Sequence, residues 1–185
     1  MMTEISLNVL DVAQNSIRAG ASRIIIDIQV SHKEDRLKVI ISDNGCGMTD
    51  SQLAHADDPF YSTRTTRTIG LGIPFFKNGA EMTGGTFSIK SEVGKGTEVT
   101  AVFVLSHIDR MPLGDITSTM LSLITCNENI DFVYTYGVDN RSFTLDTREF
   151  RKILGDISYQ EPDVYNYIKE YLQEHKDDLD QGKYI

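Results

Sequence analysis

Two alternating apolar stretches constrain this chain most. "SRIIIDIQV" sets Ile24, Ile26, Ile28 and Val30 at every second position, and "RLKVIIS" does the same with Leu37, Val39 and Ile41. Successive side chains of a strand point to opposite faces, so each stretch offers one apolar face to a core and a mixed face away from it. The polar "SHKED" between them is a short connection, which predicts an antiparallel pair. Ahead of them, Ile5, Val9, Leu10, Val12, Ala13 and Ile17 recur at three- and four-residue steps, with Thr3 placed to cap and Gly20 to terminate. That spacing predicts a helix.

Further along, "MTDSQLAHA" reads as a short helix and "DPFYSTRTTRTIGLG" as a long loop without a period. "IPFFKNGAEM" reads as a helix with Pro74 in its first turn, where a missing N–H costs little. "TFSIKS" and "TEVTAVFVL" alternate around "EVGKG" as a hairpin. At about Ser106 the character changes to a linker, "SHIDRMPLGD", and the chain is expected to be one domain, residues 1–105, with a small α+β extension, residues 106–185. The second reads as a helix from Ile116 to Thr125, a hairpin, a helix from Thr147 and a last helix. In that last helix Val164, Tyr167, Ile168, Tyr171, Leu172 and His175 form one apolar face, which motivates a partner- or dimer-binding role for this segment. The acidic tail "HKDDLDQGKYI" is expected to fray. Tyrosines 134, 136, 159, 165, 167 and 171 read as core and interface packing.

Charge and composition exclude several function classes. A formal charge of −9 over 185 residues argues against a nucleic-acid or anionic-membrane surface, which needs clustered Lys and Arg, although it leaves room for local basic patches. No apolar run approaches the ~18 residues of a membrane span, and "MMTEISLNVLDVAQ" carries acids where a signal peptide is basic. A cytoplasmic location is expected. Cys46 and Cys126 lack metal-ligand spacing, and Cys46 reads as a small packing residue.

Four elements carry chemistry. In "DVAQN", Asp11 and Asn15 stand four apart and project from one helix face. An acid beside an amide can hold water and Mg²⁺, which takes few protein ligands, although a solvated helix face has the same pattern. In "SDNGCGM", Asp43 ends a strand where a carboxylate can accept a hydrogen bond from an exocyclic amine, and the glycines admit a planar base; a plain turn is the alternative. "RTIGLGI" frees backbone amides at a helix start for an anion, with Arg64 and Arg67 nearby. It matches neither the dinucleotide-binding nor the Walker pattern. "GKGT" ends with Thr97, in what can equally be a simple hairpin turn.

Taken in order, Asn15, then Asp43-x-Gly45-x-Gly47, then Gly70-x-Gly72, then Gly94-x-Gly96-Thr97 resemble the N box and the three glycine boxes of the GHKL superfamily, which includes DNA gyrase, HSP90, histidine kinases and MutL. The resemblance spans residues 5–104. "LDVAQNSIRAGASRIIIDI" is most similar to MutL proteins, whereas "DPFYSTR", "GLGI" and "SEVGKGTEVTAVF" are more similar to histidine kinases. It implies a two-layer α/β sandwich, a mixed sheet covered by helices, with ATP held between the helix layer and a lid at roughly 55–70. It implies Asp43 on the adenine amine with Gly45 and Gly47 beside it, and Asn15 on Mg²⁺. Ser62, Thr63, Arg64, Gly70, Leu71 and Gly72 would approach the phosphates, and Thr97 would assist at the adenine through water.

Two positions depart from the family pattern. Where ATP-hydrolysing relatives and anti-sigma serine kinases carry a glutamate as general base, this chain has Asp11, whose shorter stem withdraws the carboxylate by roughly 1 Å, a shift that can cost on the order of 100-fold in rate. Thr68 stands where a first glycine is usual. Only four residues precede Ile5, and His32, His55, His107 and His175 lack a phosphoacceptor context, so a self-contained histidine kinase is not expected. The resemblance therefore implies a Mg-ATP-binding regulatory protein, either a slow ATPase or serine kinase with Asp11 as base, or a non-catalytic ATP-gated switch. Either would act on a protein partner, as a monomer or homodimer. A similarity to small stand-alone proteins of anaerobic bacteria adds hydrogenase or NADH-oxidising subunits as a partner class.

Overall fold

The computed structural model describes residues 4–58, 72–183 and 185. Its first helix, α1 (Ile5–Arg18), is followed by β1 (Arg23–Ser31) and β2 (Arg36–Asp43), the short α2 (Asp50–Leu53), α3 (Gly72–Met82), β3 (Thr86–Glu92) and β4 (Gly96–Val104). Then come α4 (Ile116–Cys126), β5 (Asp131–Val138), β6 (Arg141–Asp146), α5 (Thr147–Leu154) and α6 (Pro162–Asp180). The strands form one mixed sheet in the order β3-β4-β2-β1-β5-β6. Helices pack on its apolar side, so the chain is an α/β sandwich of the kind expected.

Period-two patterning places the core. Ile24, Ile26, Ile28, Val30, Leu37, Val39 and Ile41 are buried, as are Val99, Ala101 and Phe103 of β4, while alternate positions are half-buried or exposed. Each fully buried aliphatic or aromatic side chain contributes roughly 1.5–3 kcal/mol. β1 and β2 pair antiparallel from Ile24↔Asp43 to Ser31↔Arg36. Because the side-chain period is two, a one-residue slip would turn all of these apolar side chains outward, which locks the register that sets Asp43 at the sheet end.

Residues 106–185 join the same sheet. β5 lies parallel to β1 from Arg23↔Asp131 to Val30↔Val138, and β6 adds an antiparallel edge. The buried side chains of both segments form one cluster, from Ile5 and Ile24 to Ile116, Phe132, Tyr134 and Ile168. The apolar face of α6 is taken up inside the chain: Ile168 and Leu172 are buried, and Val164 and Tyr171 pack against the core. Tyr134, Tyr136 and Tyr159 are core residues, whereas Tyr165 and Tyr167 are exposed.

The expected fraying does not occur through Asp180. This side chain is buried, accepts from the Tyr136 hydroxyl at 2.6 Å and from Lys176 Nζ at 2.5 Å, and follows the buried Leu179. Removing one partner of a buried ion pair typically costs about 3–5 kcal/mol, so these contacts hold the last turn of α6 in place. Burial and the bond to Asp180 push the Tyr136 hydroxyl well above its ordinary pKa. At the other end, Thr3 lies outside the described residues, and the first amides of α1 are satisfied by the linker. Ile5 N–H donates to the Pro112 carbonyl and Ser6 N–H to the Leu113 carbonyl, both at 2.9 Å, while Leu113 N–H donates to the Ile185 carbonyl at 3.0 Å.

Candidate nucleotide site

β2 delivers Asp43 to the end of the sheet, opposite Thr97 of β4. Its half-buried carboxylate is held on two sides. Oδ2 accepts from the Ser16 hydroxyl at 2.5 Å, and Oδ1 accepts from the Gly45 amide at 2.8 Å. A carboxylate has about four acceptor positions, so two remain for a ligand. Ser16 is buried on α1 directly after Asn15, and this contact places the helix and the strand end together.

The loop from Asp43 to Met48 is tied down along its length. Cys46 N–H donates to the Ala19 carbonyl at 2.9 Å, and Gly94 N–H donates to the Cys46 carbonyl at 2.8 Å. Met48 N–H donates to Ser91 Oγ at 2.8 Å, and Ser91 Oγ lies 2.8 Å from Thr97 Oγ1. Asn44 Oδ1 accepts from the Ser22 and Arg23 amides. The Cys46 side chain is exposed, which corrects its reading as a packing residue: its backbone, not its thiol, does the anchoring.

Two glycines are required by space and by backbone. Gly47 has φ +67°, and a Cβ there would stand 2.0 Å from the Glu92 carbonyl oxygen. Gly96 has φ +118°, and its Cβ would stand 1.9 Å from the Asp43 carbonyl oxygen. Gly96→Ala is therefore expected to cost on the order of 2–3 kcal/mol in urea unfolding, whereas Gly94→Ala, in open space at φ +77°, costs about 1 kcal/mol. Equal costs would show that the backbone relaxes freely beneath Asp43.

The other predicted residues line up from here. Asn15 follows Asp11 by about one helical turn, roughly 6 Å along α1. Its Oδ1 accepts from the Arg18 guanidinium. A Cβ on Gly72 would lie 2.8 Å from Asp11 Oδ2, so Asp11 sits against the first turn of α3, where a carboxylate is favoured by the helix dipole. Asp57, just before residues 59–71, is bonded to Lys77 of α3 at 2.6 Å, and this contact holds its carboxyl below the usual range. The structure thus brings together Asp11, Asn15, Asp43, Gly45, Gly47, Gly72 and Thr97. Ser62, Thr63, Arg64, Gly70 and Leu71 lie outside the described residues.

Sequence reasoning missed Ser16, Asn44 and Ser91. Ser91 was legible in part, as a hydroxyl at a position of β3 where Phe87 and Ile89 set the inward parity. Ser16 carried no such signal, since only the crossing of α1 over the end of β2 gives it a partner.

The chemistry suits an amine-bearing group: an anchored carboxylate with acceptor positions left over, at a strand end whose flanking Gly47 and Gly96 carry no side chain. For a cation the donors are few. Among the described residues no cluster of three His, Cys, Asp or Glu gathers to hold a metal, so a Mg²⁺ ion would depend on Asn15, water and the oxygens of a bound anion, as that ion commonly does. Among them no helix is long and apolar enough to cross a membrane.

Sporulation kinase B of Bacillus subtilis (strain 168) is 35% identical over 99 residues, which cover 53% of this chain and 23% of that protein. The sensor protein kinase FleS of Pseudomonas aeruginosa is 34% identical over 108 residues, 58% of this chain and 26% of its own length. The chain thus spans about a quarter of these kinases. The crystal structure of the N-terminal domain of a DNA repair protein aligns with a TM-score of 0.55 at 17% identity, over 78% of this chain and 53% of that one, a likeness of fold. The profile of the histidine kinase-, DNA gyrase B-, and HSP90-like ATPases matches residues 3–107, and the chain belongs to that family.

Proposed function

We propose that this chain is a cytoplasmic, Mg-ATP-binding regulatory protein that turns ATP over slowly, as an ATPase or a serine kinase. The anchored Asp43 carboxylate carries this reading. It would accept the adenine amine, with Gly45 and Gly47 beneath the base and Thr97 acting through water beside Ser91. Asn15 would help hold Mg²⁺, which would supply positive charge to offset that of the phosphates, and Gly72, with Ser62, Thr63, Arg64, Gly70 and Leu71, would approach the phosphates. Residues 1–105 supply these groups, and residues 106–185, whose apolar faces complete the sheet, would offer their exposed surface to a protein partner or a second copy. The test is titration of the 185-residue chain with Mg-ATP and Mg-GTP by calorimetry. ATP is expected to bind and GTP is not, because guanine turns an acceptor oxygen toward Asp43. Equal binding of both, or of neither, removes Asp43 from the base site.

Asp11, one turn before Asn15 on the same helix, would act as the general base. Asp11→Asn is expected to leave ATP affinity within about twofold while lowering ADP release by roughly 100-fold or more, because an amide cannot take the proton of an attacking water or hydroxyl. Asp11→Glu restores reach and is expected to raise turnover above wild type. A second reading is favoured by the packing of Asp11 against Gly72. A carboxylate engaged with the first turn of α3 would report nucleotide to that helix without chemistry, as an ATP-gated switch. Binding with no ADP release from wild type, and none gained in Asp11→Glu, would select it.

A further inference from the structure

The turn between α5 and α6 carries a surface that the nucleotide site does not use. Nearby acidic side chains are matched: Asp131 with Arg151 at 2.6 Å, Asp146 with Arg148 at 2.6 Å, Glu149 with Lys152 at 2.8 Å. Asp156, Glu161 and Asp163 have no ion-pair partner among the described residues. With Ile157, Ser158 and Val164 they line a concavity of about 590 Å³. Residues 153–168 contain no Lys, Arg or His.

This acidic rim surrounds apolar side chains left outside the core. Within it Ile157 is 52% exposed and Val164 is half-buried; outside it, on the flanking helices, Ile153 on the last turn of α5 and Tyr167 on α6 are exposed as well. Each exposed isoleucine forgoes stabilisation that burial would supply, and an apolar patch rimmed by polar groups is the usual form of an interaction site.

Charge selects the occupant. A neutral or acidic segment would strip water from three carboxylates without replacing it. A second copy of this chain, at −9, would set the same acids against each other across a two-fold axis. A basic segment removes both penalties. We propose that the α5–α6 turn docks a basic segment of a partner protein, which sets an aliphatic side chain against Ile157 and Val164 and Lys or Arg side chains against Asp156, Glu161 and Asp163. This surface is independent of nucleotide binding.

The test uses a short fluorescein-labelled peptide of Leu flanked by Lys, a copy with Glu for Lys, and the 185-residue chain, read by fluorescence anisotropy. The Lys peptide binds and the Glu peptide does not. The combined Asp156→Lys, Glu161→Lys and Asp163→Lys substitutions weaken binding roughly tenfold or more, and Ile157→Ser weakens it comparably. The same charge change at Glu34, Glu81 and Asp109 leaves affinity within about twofold. Thermal unfolding of each variant confirms that it is folded. Equal losses in the two charge-reversed chains would reduce the effect to net charge and overturn the proposal. So would no binding of the Lys peptide, binding of the Glu peptide, or a dimer in sedimentation that Ile157→Ser dissociates.

Discussion

Asp43→Asn is expected to weaken ATP binding by roughly 100-fold, about 2.8 kcal/mol at 1.4 kcal/mol per tenfold, and so to abolish it in an ordinary calorimetric titration. The carboxylate takes hydrogen bonds from Ser16 and from the Gly45 amide on its two oxygens and has further acceptor positions to offer. An amide has a single oxygen. Whichever way it turns, its NH₂ group faces one of those donors, and the donor amine of adenine meets a group that has lost its charge. Ser16→Ala is expected to give a smaller loss, about fivefold, because it frees the carboxylate to rotate without removing it. Near-UV circular dichroism matching wild type would show that both variants are folded. Undiminished ATP affinity in Asp43→Asn would place the base elsewhere.

A chain ending at residue 105 is expected to lose cooperative unfolding and to aggregate. The cut leaves every proposed nucleotide-binding residue in place but removes β5, which pairs with β1 along eight residues. It also removes the core side chains Ile116, Met120, Phe132 and Tyr134. β1 would become an exposed, flat, isoleucine-rich edge, the form of strand most prone to pair with other chains. The first amides of α1 would lose the Pro112 and Leu113 carbonyls as well, and α1 carries Asp11, Asn15 and Ser16. The measurement is thermal unfolding by far-UV circular dichroism with light scattering. A soluble fragment with a sharp transition and ATP affinity near that of the full chain would show that residues 1–105 fold on their own.

Much of the fold and part of the site were legible from residue order. Alternation in "SRIIIDIQV" and "RLKVIIS" fixes which side chains are buried, and a pleat leaves no other choice once one face meets a core. The helix read over "IPFFKNGAEM", with Pro74 in its first turn, is found at Gly72–Met82. Asp43 at a strand end, followed by glycines, was visible because turn chemistry and strand patterning are both local.

What could not be read was how distant elements meet. The one-sided face of α6 could equally cover the chain's own sheet or a partner, because amphipathicity specifies that a face is buried but not against what. Three-dimensional packing settled it by laying β5 beside β1 and α6 over the extended sheet. The acidic tail looked frayed because Asp180 is polar, yet Tyr136 and Lys176 satisfy it from elements that sequence distance hides. The same holds at the site. Local pattern names Asp43 and Asn15 as chemical groups, whereas Ser16 and Ser91 become part of the pocket only where α1 and the β3–β4 hairpin converge on the end of β2. Periodicity is a property of one segment, and it determined the elements; partner choice is a property of two, and it emerged only when the sheet was assembled.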